Sequence, residues 1–317
     1  MYKQKGYLTF YALTPIHMGS GQSVSFVDNV VQRERHTSYP TLWSSGIKGV
    51  VRELAYRKWN DKDKVNVIFG PEEGSDQYAS CISITDAKIL LFPVRSVKGT
   101  FAWITCPFVL KRLKEDLKSI GKEFKDNQGN DIQIPDNIQN EKVILCSSSD
   151  LKIDNNQVAF EEFVFDIENN QNSDNIAEEV FKLLPQTEFN EDFFKNHFAI
   201  VSDDVFKDFV NYAVEIRTRI RIDQTTGTVK EGALFSEELI PSESVFYSLV
   251  FISEPYNKSS NLNSADDVLR ELSTLFPNGH QILQLGADET LGKGFVKVKF
   301  EKINTNQKSQ THGGQNP

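Results

Sequence analysis

A single acid, Asp28, stands in the polar stretch HMGSGQSVSFVDNVVQRERHTSYP (17–40), shortly before the mostly basic run Arg33, Glu34, Arg35 and His36. A carboxylate beside cations is a donor set suited to phosphate chemistry. The carboxylate takes up a proton or holds a divalent cation, while guanidinium and imidazole groups position phosphates or offset developing charge. The alternative for a loop acid is a turn or capping role toward nearby backbone. The basic bias continues downstream, because residues 28–60 hold six bases (Arg33, Arg35, Lys48, Arg52, Arg57, Lys58) against three acids. That is a local phosphate-attracting face. Lys48 and Arg52 are four apart and share one side of a helix near its start, where free amides also favour anions; a solvated helix face is the alternative. Arg217, Arg219 and Arg221 alternate, so on a strand they form one basic stripe with Ile216, Ile220 and Ile222 on the other face. In GADETLGKG (286–294), Gly286, Gly292 and Gly294 would let backbone amides approach phosphates and Lys293 would add charge. A tight β-turn explains the same glycines.

These groups need elements to hold them. GYLTFYALT (6–14) is β-branched and aromatic, hence a strand that feeds the polar loop. GIKGVVRELAYRKW (46–59) has helical spacing with Ser44 and Ser45 available as N-cap, so its free amides point back at the loop. CISITDAKILLFP and GTFAWITC read as strands, and PFVLKRLKEDLKSIG (107–121) as a helix opened by Pro107 and closed by Gly121. The order β-loop-α-β-β-α is that of a ferredoxin-like or RNA-recognition-motif unit. The second half repeats it loosely. HFAIV is a strand and SDDVFKDFVNYAVE a helix capped by Ser202. Two extended arms flank the turn TTGT, SVFYSLVFIS is a strand, SADDVLRELSTLF a capped helix, and two strands surround the glycine-rich loop. The expected class is α+β, two fused or modified ferredoxin-like units with a protruding hairpin and a helical or irregular insertion.

Charge locates the insertion. The 317 residues sum to −9, yet residues 121–195 alone hold 17 acids against 6 bases, a balance of −11, and the other 242 residues stand at +2. The expected divisions are 1–120 with a catalytic loop at 15–45, an acidic surface insertion at 121–195, and 196–303 with a hairpin at about 216–240. The polar end 304–317 is expected to be disordered. Cys81, Cys106 and Cys146 are far apart and read as buried thiols rather than disulfides or zinc ligands. With no apolar stretch long enough to span a bilayer and no export signal at the start, the expected compartment is the cytoplasm and no membrane partner is expected. No Walker loop, HExxH or nucleophile-elbow serine points to other enzyme classes.

Taken in order, TPIHMGSG, VDNVVQRERHTSYP, SSGIKGVVRELA, FGPEEG, ITDAKILLFPVRSVKGTFAWITCPFVLKR, RTRIRIDQTTGTVKEGALFSEELIP and LQLGADETLGKG resemble the repeated backbone subunit of type III-B (Cmr) CRISPR effector complexes, in the RAMP superfamily. The resemblance spans nearly the whole chain and weakens only in the acidic segment and the tail. It implies an antiviral RNA-binding endoribonuclease whose copies stack along a CRISPR guide RNA beside other Cmr subunits. A thumb hairpin from each copy wedges into the guide–target duplex, a target nucleotide flips out, and the complementary target RNA is cut there with Mg2+ or Mn2+. The family pattern V-D-x-x-I-Q-R-E reads VDNVVQRE here, which makes Asp28 the expected catalytic residue and metal ligand. His17, where the family also has a histidine, is expected to support the reaction; a loop histidine bonded to backbone is the alternative. Arg33, Arg35, His36, Ser45, Lys48, Arg52, Arg217, Arg219, Arg221, Gly286, Gly292, Lys293 and Gly294 are the implied RNA contacts. Ala233, Leu234 and Phe235 are the implied wedge. Glu237 and Glu238 follow, where the family has a glutamate close to a neighbouring copy's cut site, with Glu237 the expected one, although a tyrosine expected nearby is Leu239. The family serine before the Leu-Lys-Gly step is displaced in Ser44, Gly46 and Ile47, while Lys48 is kept.

An RNA backbone supplies its own nucleophile, the 2′-hydroxyl, so one carboxylate can suffice once the nucleotide is splayed in line. Two rival functions remain open from the sequence. One is a non-catalytic guide-binding scaffold, and the other a stand-alone nuclease that processes CRISPR precursor RNA.

Overall fold

The structure is a computed structural model that describes residues 2–22, 27–71, 78–257 and 262–303, without the side chains of residues 22 and 230–233. The strand Gln4–Ala12 lies at its centre and is buried along most of its length. That follows from its neighbours, since Val245–Ile252 and Phe295–Ile303 pair antiparallel with it on either side. Both neighbours come from the far end of the chain. The expected portions 1–120 and 196–303 therefore interleave in one sheet rather than closing two sheets of their own.

From one edge the sheet runs His280–Gln284, Phe295–Ile303, Gln4–Ala12, Val245–Ile252, Ala87–Arg95, Phe101–Thr105, Phe198–Val201, Lys142–Leu145, Phe163–Glu168 and Gln157–Phe160. Thr41–Leu42 and Ile82–Ile84 pair alongside this path. The helix Ser44–Trp59 buries Ile47, Val51 and Ala55, and Pro107–Ile120 buries a wider stripe that includes Leu110, Leu113 and Leu117. Ala265–Thr274 is held at its start by a capping box of Ser264 and Asp267. Ser202 caps Asp203–Tyr212 as expected.

Two expectations change. The helix expected at 46–59 starts at Ser44, and neither serine caps it: Trp43 occupies the cap position without a side-chain bond. Its opening amides are met from elsewhere, Trp43 N–H donating to Gln32 Oε1 (2.9 Å) and Ser44 N–H to Asp86 Oδ1 (2.7 Å). The acidic segment is also more regular than a surface insertion. Its strands Lys142–Leu145, Gln157–Phe160 and Phe163–Glu168 extend the main sheet, and Val143, Ile144, Val158, Phe160 and Phe165 join the common core. About half of its acids are exposed, and some pair across elements, as Asp131 does with Lys114 and Asp136 with Lys111. A charge count registers the outward face of such strands and misses the inward one. The three cysteines are buried and free. The polar end 304–317 lies outside the described residues.

A second, four-stranded sheet carries the chemistry-bearing loop. Glu215–Ile222 and Val229–Leu239 form the expected hairpin, and Asn29–Val31 and Gly19–Gln22 are added to it in that order. An antiparallel bridge between Ile16 and Ile240, with both N–H···O bonds at 2.9 Å, ties its root to the end of the central strand. The glycine-rich loop closes over the same root. Gly294 has φ +74°, and a Cβ there would stand 2.0 Å from the Leu285 carbonyl oxygen.

This packing separates two glycines with similar φ. Gly294→Ala should cost at least about 2 kcal/mol in urea denaturation, and Gly292→Ala about 1 kcal/mol, because Gly292 has φ +72° but open space around a Cβ. Equal losses would contradict the close-approach reading.

Candidate RNA-cleavage site

Three consecutive hairpin residues grip the loop. Ser236 donates to Asp28 Oδ2 from its amide (2.7 Å) and its hydroxyl (2.9 Å), and Asp28 N–H donates back to the same hydroxyl (3.1 Å). Glu237 pairs in parallel register with Asn29. The Glu238 carboxylate accepts from Val31 N–H (2.9 Å) and from the Arg33 guanidinium. A parallel strand pair has a fixed register, so the loop cannot slip along the hairpin without breaking all three contacts.

Asp28 is exposed, and the Ser236 bonds, backbone first and hydroxyl second, hold its carboxyl below the ordinary carboxylate range. It is therefore ionised at neutral pH. Both inter-residue donors land on Oδ2. Among the described residues, no cluster of three metal-binding side chains exists. One exposed carboxylate fits a hydrated Mg2+ or Mn2+ held chiefly by phosphate oxygens and water, which is how such ions are commonly bound. It does not fit a metal caged by protein.

His17 is buried and bonded to backbone. Its Nδ1 lies 2.7 Å from the Glu238 carbonyl oxygen, which can only accept, so Nδ1 carries the proton and Nε2 faces Glu237 Oε1 at 3.7 Å. Glu237 is itself buried. Burial first, and then a hydrogen bond with Asp288, push its carboxyl above the ordinary value, against the pull of His17 and Arg219. Asp288 stays below its ordinary value although burial pushes the other way, because Arg219 donates to it and Glu237 shares a hydrogen bond with it.

The expected RNA contacts divide into two groups. Arg33 is committed inside the fold, donating to the carbonyls of Ser38 (2.8 Å) and Val210 (3.0 Å) besides Glu238. Arg219 is committed too, to Asp288 (2.8 Å) and Glu237 (3.3 Å), with its guanidinium 5.9 Å from the Phe235 ring. Arg52 donates to the Gly70 carbonyl and to Asn66 Oδ1. Arg217 reaches Glu215 on its own strand but is itself exposed. Arg35, His36, Ser45 and Arg221 are exposed too, and among the described residues His36 has only a distant 3.9 Å approach to Glu34. Lys48 makes no ion pair among the described residues, and burial followed by the charge of Arg52 lowers its pKa. An arriving phosphate would relieve that repulsion.

The glycine loop is also redirected. Gly294 N–H donates to the Pro15 carbonyl and Ala287 N–H to the His17 carbonyl, at 2.9 and 2.8 Å. A Cβ at Gly286 would stand 2.2 Å from that same His17 oxygen. These glycines admit the loop's own backbone against residues 15–18. Lys293 is half-buried beside them. On the hairpin, Leu234 is 65 % exposed and Phe235 half-buried; the Ala233 side chain lies outside the described residues. Sequence reading missed Ser236 and Asp288, and placed Glu238 beside Glu237 without its partner Arg33. Only Asp288 left a signal, as the acid between two glycines in GADETLG.

The RAMP superfamily profile matches residues 9–297. A Pyrococcus furiosus protein, "CRISPR system Cmr endoribonuclease Cmr4", is 41% identical over 308 residues, covering 95% of this chain and 98% of its own. "CRISPR system CMR subunit Cmr4" of Saccharolobus solfataricus is 27% identical over 310 residues, 91% of this chain and 94% of its own. The solved structure described as oligomeric Cmr4 from Pyrococcus furiosus superposes with a TM-score of 0.70 at 33% identity, covering 95% of this chain and 99% of that one. The chain thus belongs to the RAMP superfamily and, within it, to the Cmr4 endoribonucleases of CRISPR Cmr systems.

Removing the Glu238 carboxylate strands a largely buried guanidinium. Glu238→Ala should lose about 3 kcal/mol in chemical denaturation, and Glu238→Gln, which keeps an acceptor, about half of that. A surface-like loss below about 0.5 kcal/mol would show that the loop is not held here.

Proposed function

We propose that this chain binds a CRISPR guide RNA as a repeated backbone subunit of a cytoplasmic Cmr complex and cuts guide-complementary target RNA, with Asp28 at the point of cleavage. The observation that carries this reading is the exposed, ionised Asp28 carboxylate pinned to Ser236, two residues from exposed Leu234 on the same strand. At the rise of a β-strand that is about 7 Å, one nucleotide's reach. A base displaced by Leu234 and Phe235 would leave its phosphate beside the carboxylate. Copies stacked along one guide would then cut at a regular interval, and the oligomeric state described for a 33% identical relative agrees with such stacking.

The reaction is attack of the 2′-oxygen on the adjacent phosphorus, with the 5′-oxygen leaving. The 2′-hydroxyl proton is lost, the departing 5′-oxygen gains one, and the products are a 2′,3′-cyclic phosphate and a 5′-hydroxyl. Asp28 is too weak a base to be matched to proton removal at neutral pH. Its task is to keep a fixed negative charge at the scissile phosphate, where a hydrated Mg2+ or Mn2+, once bound, would polarise the phosphate and favour ionisation of the hydroxyl. Arg35, His36, Ser45, Lys48 and Lys293 supply the contacts to guide and target phosphates. Arg33 and Arg219 act by holding the loop and the hairpin.

Asp28→Asn in a reconstituted guide-bound complex should reduce single-turnover cleavage at least about 100-fold while target affinity stays within about threefold. Because the Asp28 carboxyl titrates below the ordinary range, the wild-type rate between pH 6 and 8.5 should rise with pH without an inflection from this group. A regularly spaced product ladder that survives in Asp28→Asn would make the chain a scaffold and send the search for the cutting group elsewhere.

A further inference from the structure

One charged side chain under the cutting loop has no part in the chemistry above. Asp288 sits in the glycine-rich loop in the left-handed region, φ 62°, a conformation that Asp tolerates better than most residues. Its backbone carbonyl accepts from Leu291 N–H (2.9 Å) and Lys293 N–H (3.2 Å), and its neighbour Ala287 is bonded to the His17 carbonyl. The loop is therefore a firm base. From it, Asp288 Oδ1 accepts from Arg219 Nη1 at 2.8 Å. The same nitrogen lies 3.3 Å from Glu237 Oε2, and His17 Nε2 faces Glu237 Oε1 from the other side.

Two carboxyl groups thus meet one guanidinium in a buried setting, which leaves a negative charge in excess unless they share a proton. Asp288 Oδ2 is buried with no hydrogen-bond partner among the described residues, and the Glu237 carboxylate is held close by, on the same Arg219 nitrogen. A single proton held between the two would satisfy both. The pair joins the glycine loop to the hairpin one residue from Ser236 and one from Glu238, the residues that hold Asp28 and Arg33.

We propose that Asp288 is a positioning residue for RNA cleavage: by clamping Arg219 and Glu237 to the glycine loop, it fixes the strand segment 236–238 and hence the place of the Asp28 carboxylate. This rests on the reading of Asp28 as the cleavage residue. Asp288 needs no contact with RNA. Its removal lets the 236–238 segment shift and moves the carboxylate off the scissile phosphate, a displacement to which rates are steeply sensitive.

The test uses the reconstituted guide-bound complex and measures single-turnover cleavage, target affinity and thermal midpoint for wild type, Asp288→Ala, Asp288→Asn and Asp28→Ala. Asp288→Ala should cut about 10- to 100-fold more slowly with affinity within about twofold of wild type. Asp288→Asn keeps an acceptor for Arg219 and gives Glu237 an amide donor, so it should cut within about threefold of wild type. If Asp288→Ala does not assemble, Arg219→Lys cuts the same link from the hairpin side and should slow cleavage about tenfold. A wild-type rate in Asp288→Ala or Arg219→Lys, an Asn variant as slow as Ala, or a rate that falls only in step with affinity would overturn the proposal. Full cutting by Asp28→Ala would instead remove the underlying reading, whatever the Asp288 variants do.

Discussion

The site depends on the grip of Ser236, Glu237 and Glu238 on the loop between the first strand and the first helix. A polar loop of this length has no reason of its own to hold a carboxylate in one place, since ordering each residue costs about 1–2 kcal/mol of conformational entropy. The parallel pairing at Asn29, the Arg33–Glu238 ion pair and the two Ser236 bonds to Asp28 meet that cost together. The ion pair is the member that cannot be lost cheaply, because either partner alone would be a charge largely out of water. Around it the chain distributes the remaining work: the central strand anchors the loop's start through Ile16 and Ile240, and the glycine loop seals the base through Gly286 and Gly294.

This arrangement makes the hairpin more than a projection. Beneath its polar turn its arms are apolar and open, with Ile220 opposite Leu234 and Ile222 opposite Val229, all about half exposed or more. Its root is charged and closed. The exposed apolar Leu234 and the Ser236 that fixes the Asp28 carboxylate lie on one strand, so the distance between them is set by backbone geometry rather than by flexible side chains.

Much of this was legible in the sequence. Alternation marked the hairpin from its basic stripe, strong caps marked Ser202 and Ser264, and the isolation of Asp28 among cations marked the loop. What escaped shares one property, which is dependence on partners far along the chain. Arg33 and Glu238 are 205 positions apart, so Arg33 reads as a free phosphate ligand until the fold brings its carboxylate. Arg219 behaves the same way toward Asp288, 69 positions off. The glycines were noticed for open amides, whereas the structure uses them for close approach to His17 and Leu285. The strands of the acidic segment were hidden by outward-facing charge.

The hold of the hairpin on the carboxylate is tested most directly at Ser236, by single-turnover cleavage in the guide-bound complex with Ser236→Ala and Ser236→Thr. Loss of the hydroxyl, a hydrogen bond to a charged group, should slow cutting about tenfold at unchanged target affinity, and threonine should restore most of the rate. A wild-type rate in Ser236→Ala would contradict the claim that the hairpin sets the position of Asp28.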